Sequence, residues 1–175
     1  MAGEARRKTS GRSNVGTSGE VQQLLAMLDQ AYDRRSWHGT NLRGSIRGVT
    51  AGQAAWRPGP GRHNIWEIVV HAAYWKYAVR RRLTDEARGS FSLKGSNWFP
   101  RPLEGAAQSW RRDVALLDDA HRGLRRAIEG LTDADLSRTR TGSTVTHRFI
   151  LSGIIAHDLY HAGQIQLLKR ISAGR

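Results

Sequence analysis

Apolar residues recur along this chain at the three- and four-residue intervals of amphipathic helices. Thr17 and Glu20 have the spacing of a capping box, which predicts a first helix that continues to about Trp37. The apolar face expected for this helix consists of Val21, Leu24, Leu25, Leu28, Ala31 and Tyr32. A short helical piece is predicted over residues 41–49, and Thr50 with Gln53 is typical of another helix start.

A second long helix is predicted after the sequence PGPG, which cannot be helical. Asn64 and Glu67 have capping-box spacing, so this helix should begin there. Its buried face is expected to consist of Ile65, Ile68, Val69, Ala72, Val79 and Leu83. His71 lies at the edge of that face, where a single histidine is more often hydrogen-bonded to solvent or backbone than bound to a metal.

Two further long helices are predicted, one from about Glu104 and one over residues 145–172. The third long helix has a seam in which intervals of four and three alternate, as in bundle helices. The seam consists of Trp110, Val114, Leu117, His121, Leu124, Ile128 and Leu131. His121 interrupts it, and a hydrogen-bonded core histidine is a better interpretation there than a metal ligand or a pocket residue. Between this helix and the last one, Thr132 and Asp135 predict one short turn.

Four long amphipathic helices without a strand pattern or an internal repeat predict an all-α four-helix bundle. Residues 1–16 are rich in Gly, Ser and Arg, and we expect a disordered basic tail before a single domain over residues 17–175. Residues 87–103 form a long irregular link with three aromatic residues, Phe91, Trp98 and Phe99. Such links serve as lids or site rims in some proteins, although packing of the aromatics on the end of the bundle is the interpretation we favour.

The last helix carries two histidines one helical turn apart, His157 and His161. They lie on an apolar stripe that also contains Ile150, Ile154, Ile165 and Leu168. Histidines four residues apart on a helix can bind one metal ion, but their ring nitrogens could equally be satisfied by hydrogen bonds. The string HDLYH differs from the zincin motif HExxH at Asp158, and no His, Asp, Glu or Cys follows it. A third ligand must therefore come from an upstream helix, which the spacing alone does not identify.

Composition limits the chemistry that is available. The 175 residues include no cysteine, so disulfides, thiolate ligands and cysteine nucleophiles are excluded and a metal must be bound through nitrogen and oxygen. The formal net charge is +13, which suits nucleic acid, an anionic membrane or small anionic substrates as partners. No apolar run spans a membrane and no secretory signal precedes the first helix, so we expect a cytoplasmic protein.

Two segments, RPGPGRHNIWEIVVHAAYW and GIIAHDLYHAGQIQLLKR, resemble the DinB-like superfamily over about residues 20–171. This resemblance implies a four-helix bundle that binds a divalent zinc or nickel ion through one histidine of the second helix and two of the last. Carried over to this sequence, the implied ligands are His71, His157 and His161. Nothing in the resemblance makes ligands of His63, His121 or His147. Related enzymes use low-molecular-weight thiols, for S-transfer or for isomerisation of small acids.

Two functions are compatible with these features. The first is a metal-dependent enzyme, a hydrolase or thiol S-transferase, in which three imidazoles leave a coordination position for water or substrate. In this hypothesis Asp158, Tyr160 and Gln164 are candidates to orient the metal-bound imidazoles, although Asp158 and Tyr160 could equally be surface or packing residues. No general base can be identified. The candidates to rim the pocket for a small anion are Arg80, Arg81, Arg82 and Arg148, although a solvated surface position is the interpretation we favour for each of them alone.

The alternative is a non-enzymatic basic helical module that binds nucleic acid or another anion, with structural histidines. Basic residues are spread over all segments and no nucleic-acid motif is present, which favours the enzyme. We therefore expect a small-molecule substrate, including a thiol, and neither specific nucleic-acid binding nor membrane association. A homodimer is left open.

Overall fold

A computed structural model of the chain describes residues 19–101 and 106–174. Within these ranges the helices are α1 (Gly19–Tyr32), α2 (Leu42–Ser45), α3 (Ala51–Ala55), α4 (Ile65–Leu83), α5 (Ala107–Glu129), α6 (Asp133–Leu136) and α7 (His147–Ala173). The predicted tail, residue Thr17 of the first capping box and the predicted helix start at Glu104 lie outside the described residues.

The four long helices α1, α4, α5 and α7 form the bundle, which confirms the predicted all-α four-helix fold. Helix α4 packs most extensively against α5, and α7 packs against α4, α1 and the short α2. In the described part of the chain, β structure is limited to an isolated antiparallel bridge between Thr139 and Thr146, just before α7.

Helix starts follow the predicted capping chemistry. Asn64 accepts a hydrogen bond from the backbone N–H of Glu67 at 2.8 Å, and the Glu67 side chain bonds back to the Asn64 N–H at 3.3 Å. Capping boxes are also present at the starts of α3 and α6. These boxes satisfy N–H groups that the first turn of a helix leaves without intrahelical partners.

The first helix ends at Tyr32, so the predicted extension to about Trp37 is wrong. All six residues predicted for its apolar face are buried. The four residues after Tyr32 are polar or charged and do not extend this face. The N–H groups of Asp33 and Arg34 both bond to the carbonyl of Asp29, which closes the helix. Trp37 is 99 % exposed, so it does not extend the buried face of the helix.

The core contains a buried polar layer between two apolar clusters. One cluster joins α2 and α3 to the first half of α4, and the other joins α1 and α6 to the second half of α4. Between them Lys76 of α4 forms an ion pair with Asp158 of α7, and neither side chain is exposed. The Lys76 ammonium also lies over the ring of Tyr32, at 4.8 Å from its centroid, and this ring stacks on His121.

Candidate metal centre

Three histidine rings meet where α4 packs against α7. The Nε2 atom of His157 lies 3.1 Å from Nε2 of His71 and 3.0 Å from Nε2 of His161. One nitrogen from each ring lies within 4.8 Å of those of the other two. His71 and His161 are buried, whereas His157 is partly exposed. The packing of α4 on α7 therefore brings together the three residues that the family resemblance implied.

Hydrogen bonds on the far side of two rings determine where their protons lie. Nδ1 of His71 is 2.8 Å from the backbone carbonyl of Asn97, and Nδ1 of His161 is 2.7 Å from Oε1 of Gln164. Because these oxygens can only accept, both Nδ1 atoms carry hydrogen in the neutral rings. The Nε2 atoms of His71 and His161 are then unprotonated, and both direct lone pairs towards Nε2 of His157.

The arrangement fits a small cation better than it fits hydrogen bonding among the rings. A proton on Nε2 of His157 would have to serve two acceptors, the Nε2 atoms of His71 and His161. A zinc ion bonded to tetrahedrally placed imidazoles at about 2.0–2.1 Å separates their nitrogens by roughly 3.3 Å. The observed 3.0 and 3.1 Å separations are close to that value. These three histidines could hold one metal ion.

The electrostatic environment keeps the rings neutral, as metal ligation requires. Burial, reinforced by the neighbouring histidines and Lys76, lowers the pKa of His157 to about 3. Burial likewise lowers the pKa of His161 to about 4, although its bond to Gln164 acts in the opposite direction. The pKa of His71 is also lowered, chiefly by burial. At neutral pH each ring can therefore offer a lone pair without losing a proton.

The irregular link after α4 closes one side of the cluster. The Trp98 indole stacks on His71 at 3.8 Å and on His63 at 3.6 Å, with interplanar angles of 11° and 6°. Asn97 has a positive φ of 63°, which asparagine tolerates better than most residues, and its side chain accepts a hydrogen bond from Trp75 Nε1. This link thus rims the site as well as packing on the bundle through the buried Phe99.

Asn97 and Trp98 contact the site, but sequence reasoning did not assign them a role there. Trp98 was noted only as one of three aromatics in the link, and Asn97 was not singled out. The contact of Asn97 is made by its backbone carbonyl, which side-chain patterns do not reveal. An asparagine shortly after Gly95, which has a φ of 119°, was the available signal for a turn.

A cleft of about 910 Å³ adjoins the histidines on one side. Its walls include His161 and Trp98, the PGPG turn before α4 and the apolar residues Leu167 and Ile171 of α7. A second, mostly apolar cleft of about 270 Å³ reaches His157 between α4 and the first half of α7. Both volumes are of the order needed for small molecules.

Of the three residues predicted to orient the imidazoles, Gln164 contacts one directly. Its Nε2 in turn donates to the Tyr160 hydroxyl at 3.0 Å, so Tyr160 acts on His161 only through Gln164. Asp158 does not contact a site histidine by a hydrogen bond: its Oδ2 is bonded to Lys76, and its Oδ1 has no partner. The prediction for Asp158 placed it on the correct helix, but its side chain points to the core because it is one residue out of phase with His157.

The remaining histidines of the core lie outside the cluster. His121 stacks on Tyr32 at 3.6 Å, and burial lowers its pKa to about 3. His147 is the first residue of α7, ten residues before His157. His63 stacks on Trp98 and lines the cleft beside His161, and its Nδ1 contacts Glu67 at 3.0 Å.

Only part of the predicted arginine rim is found at a cleft. Arg82 borders the small apolar cleft that reaches His157, and Arg81 borders two neighbouring clefts. Arg80 pairs with Glu86 and its guanidinium lies against Gly123 of α5. Arg148 pairs with Glu20 of α1, so its charge is used between helices rather than at a pocket. Arg80 and Arg148 therefore do not rim a pocket with the other two candidates.

Comparison with known proteins agrees with this geometry. Residues 32–165 match the model of the DinB superfamily, and the chain belongs to this superfamily. No curated protein and no solved structure matches the chain. Within the described residues, no helix is long and apolar enough to cross a membrane.

Proposed function

We propose that this protein is a metal-dependent enzyme in which His71, His157 and His161 bind one divalent zinc or nickel ion. The observation that carries the proposal is the convergence of three Nε2 atoms, two of which have their lone pairs fixed by Nδ1–H bonds to Asn97 and Gln164. In a cluster that only filled the core, the Nε2 lone pairs of His71 and His161 would compete for a single N–H of His157. Membership of the DinB superfamily supports the same interpretation.

The reaction we propose is hydrolysis of a small substrate or S-transfer from a low-molecular-weight thiol. When bound, the metal would lower the pKa of water or of a thiol and so supply a nucleophile at neutral pH. Gln164 and Asn97 hold two of the rings, and Trp98 excludes water from the face of His71. We place the substrate in one of the two clefts that reach the histidines, beside His161 or beside His157.

The alternative of a basic module that binds nucleic acid is less well supported. Much of the positive charge is used within the fold, as in the pairs Arg43–Asp118, Arg57–Glu67 and Arg125–Asp29. A cytoplasmic location, binding of a small molecule and a homodimer remain predictions from the sequence.

The proposal is tested with a substrate panel under matched metal conditions. Protein purified without a histidine tag is stripped with chelator and reloaded with zinc or nickel. It is then assayed with activated esters and amides, and with thiols together with an electrophilic acceptor. We expect one class to be turned over only by the reloaded protein, and His157→Ala to abolish that turnover.

His147→Ala is the matched control, because it removes a buried histidine from the same helix but not from the cluster. This variant should retain turnover. Activity that survives both chelation and His157→Ala, or metal-loaded protein inactive towards every class, would contradict the proposal.

A further inference from the structure

A third cleft, rich in arginine, lies at the end of α4 away from the PGPG turn. It has a volume of about 550 Å³ and is formed by α4, the turn after it, and the segment before α7. Its positive charges come from Arg81, Arg82, Arg88 and Arg140, and we call it the arginine cleft. The bridge between Thr139 and Thr146 closes the segment that carries Arg140 and so fixes its place opposite α4.

Arg81 is the group that indicates a ligand. It is only 7 % exposed, so a guanidinium that always carries a charge has been largely removed from water. It donates a hydrogen bond to the backbone carbonyl of Glu86 at 3.3 Å, and it also lies over the Tyr77 ring at 5.8 Å. Its Nε atom is buried without a partner, and no described carboxylate forms an ion pair with it.

The positive charge of the arginine cleft is not balanced by acidic residues in its lining. Arg82, Arg88 and Arg140 also form no ion pair with the described residues, and the only acidic residue in the lining is Asp85. Arg82 lies instead over the Trp75 ring, at 5.9 Å from its centroid. Elsewhere in this protein arginines at the helix surfaces do pair with carboxylates, as Arg125 pairs with Asp29. A buried or half-buried arginine group without an anion is an unfavourable arrangement that an oxyanion would relieve.

The arginine cleft is continuous with the apolar cleft that reaches His157. Arg82, Val145 and Ile150 line both of them. The apolar cleft adds Phe149 and Ile154 to its wall. Ile150 and His157 are seven residues apart on α7, which corresponds to about 10 Å along the helix axis. A molecule of that length could contact the arginines and the histidine cluster together.

We propose that the arginine cleft binds the phosphate group of a small organic phosphate monoester, whose apolar part lies in the adjoining cleft towards His157. One guanidinium group can bind two oxygens of a phosphate through parallel hydrogen bonds. A phosphate also carries enough negative charge to compensate two guanidinium groups. Binding of the phosphate stands without the metal. The statement that the same molecule is the substrate of the metal centre rests on the function proposed above.

Isothermal titration calorimetry with phenyl phosphate tests the site, because this probe joins a phosphate to one apolar ring. Full-length protein is stripped of metal beforehand, so that the probe cannot bind through a metal ion. We expect one molecule to bind per chain, and inorganic phosphate to bind more weakly because it lacks the ring. Arg81→Met, which keeps the length and packing of the side chain, should weaken binding by at least about tenfold, as expected for loss of a charged hydrogen bond.

The double variant Arg88→Ala/Arg140→Ala tests the same site without changing the buried arginine. Its matched control is Arg111→Ala/Arg126→Ala, which removes two exposed arginines of α5 and lowers the net charge equally. The cleft variant should lose binding and the control should keep it. Equal loss in both would show a response to net charge alone and overturn the proposal, as would absence of binding to the wild type.

Two further readouts separate this proposal from the metal centre. His161→Ala should bind phenyl phosphate as the wild type does, even if it binds no metal, because His161 lines neither the arginine cleft nor the adjoining apolar cleft. Without ligand, Arg81→Met should melt no lower than the wild type, because it removes a buried charge that lacks a partner. A clearly lower melting temperature would show that the charge of Arg81 serves the fold, which would contradict the role assigned here.

Discussion

The buried pair between Lys76 and Asp158 allows the most quantitative prediction. Both side chains are completely buried, and Asp158 directly follows His157 in the sequence. Lys76→Met keeps most of the side-chain volume but leaves the Asp158 carboxylate in the core without its cation. Removing one partner of a buried ion pair destabilises proteins by about 3–5 kcal/mol, whereas replacing both partners with apolar residues is often neutral or stabilising.

We therefore expect Lys76→Met to lower the free energy of unfolding by about 3–5 kcal/mol at pH 7, and Lys76→Met/Asp158→Leu to recover most of that loss. For a domain of this size, each kcal/mol corresponds to about 2–4 °C in melting temperature. Urea unfolding of metal-free protein at pH 7 measures the difference directly. A single variant within about 1 kcal/mol of the wild type, or a double variant no more stable than the single one, would refute this account of the core.

The pH dependence of the same variant follows from the carboxyl group. Burial raises the pKa of Asp158, and Lys76 acts against this effect in the wild type. In Lys76→Met the folded protein should hold a proton on Asp158 at pH values where the unfolded chain has released it. Stability then falls as pH rises through that window, by up to about 1.4 kcal/mol per pH unit, and the loss relative to wild type should shrink towards acidic pH. A loss independent of pH would show that packing, not charge, causes it.

Two other predictions concern Gln164, beside the histidine cluster, and His121, beside the polar layer. Gln164→Met should weaken metal binding by about 10–100-fold, because it removes the acceptor that orients His161. Competition with a chelating dye measures the affinity, and Tyr160→Phe should have a much smaller effect. His121→Phe should make the metal-free protein less sensitive to acid. The pKa of His121 is about 3 in the fold against 6.5 normally, so between these pH values only the unfolded chain gains the proton. The stability of the wild type therefore falls as the pH is lowered through this range. Unfolding at pH 6.5 and pH 5 should show a smaller difference for the variant, and equal differences would contradict the burial of a neutral ring.

The bundle could be predicted because its long helices show regular apolar spacing and recognisable capping residues. The apolar face of α1 and the capped start of α4 were both read from spacing, and both are confirmed. The end of α1 could not be read in this way, because no residue between Tyr32 and Trp37 marks where the helix stops, and Trp37 is exposed in the fold. Spacing records where a side chain would point, whereas burial depends on what the rest of the fold places there.

The candidate metal site was predictable in part for a similar reason. His157 and His161 were paired by spacing, but the choice of His71 came from the family resemblance, since no local pattern reports a contact between α4 and α7. The contribution of Asn97 depends on a carbonyl in an irregular link, and that of Lys76 depends on a partner 82 residues away. Contacts of this kind are created by the fold and leave no periodic signal in the sequence.

The central claim is that the three Nε2 atoms hold one metal ion, and elemental analysis of the purified protein tests it most directly. Untagged wild-type protein, dialysed against zinc or nickel and then freed of excess ion, should contain one ion per chain. His71→Ala, His157→Ala and His161→Ala should each lack stoichiometric metal, while His147→Ala should retain it. Wild-type protein that holds no metal after this treatment, or a His157→Ala variant that still holds one equivalent, would contradict the account.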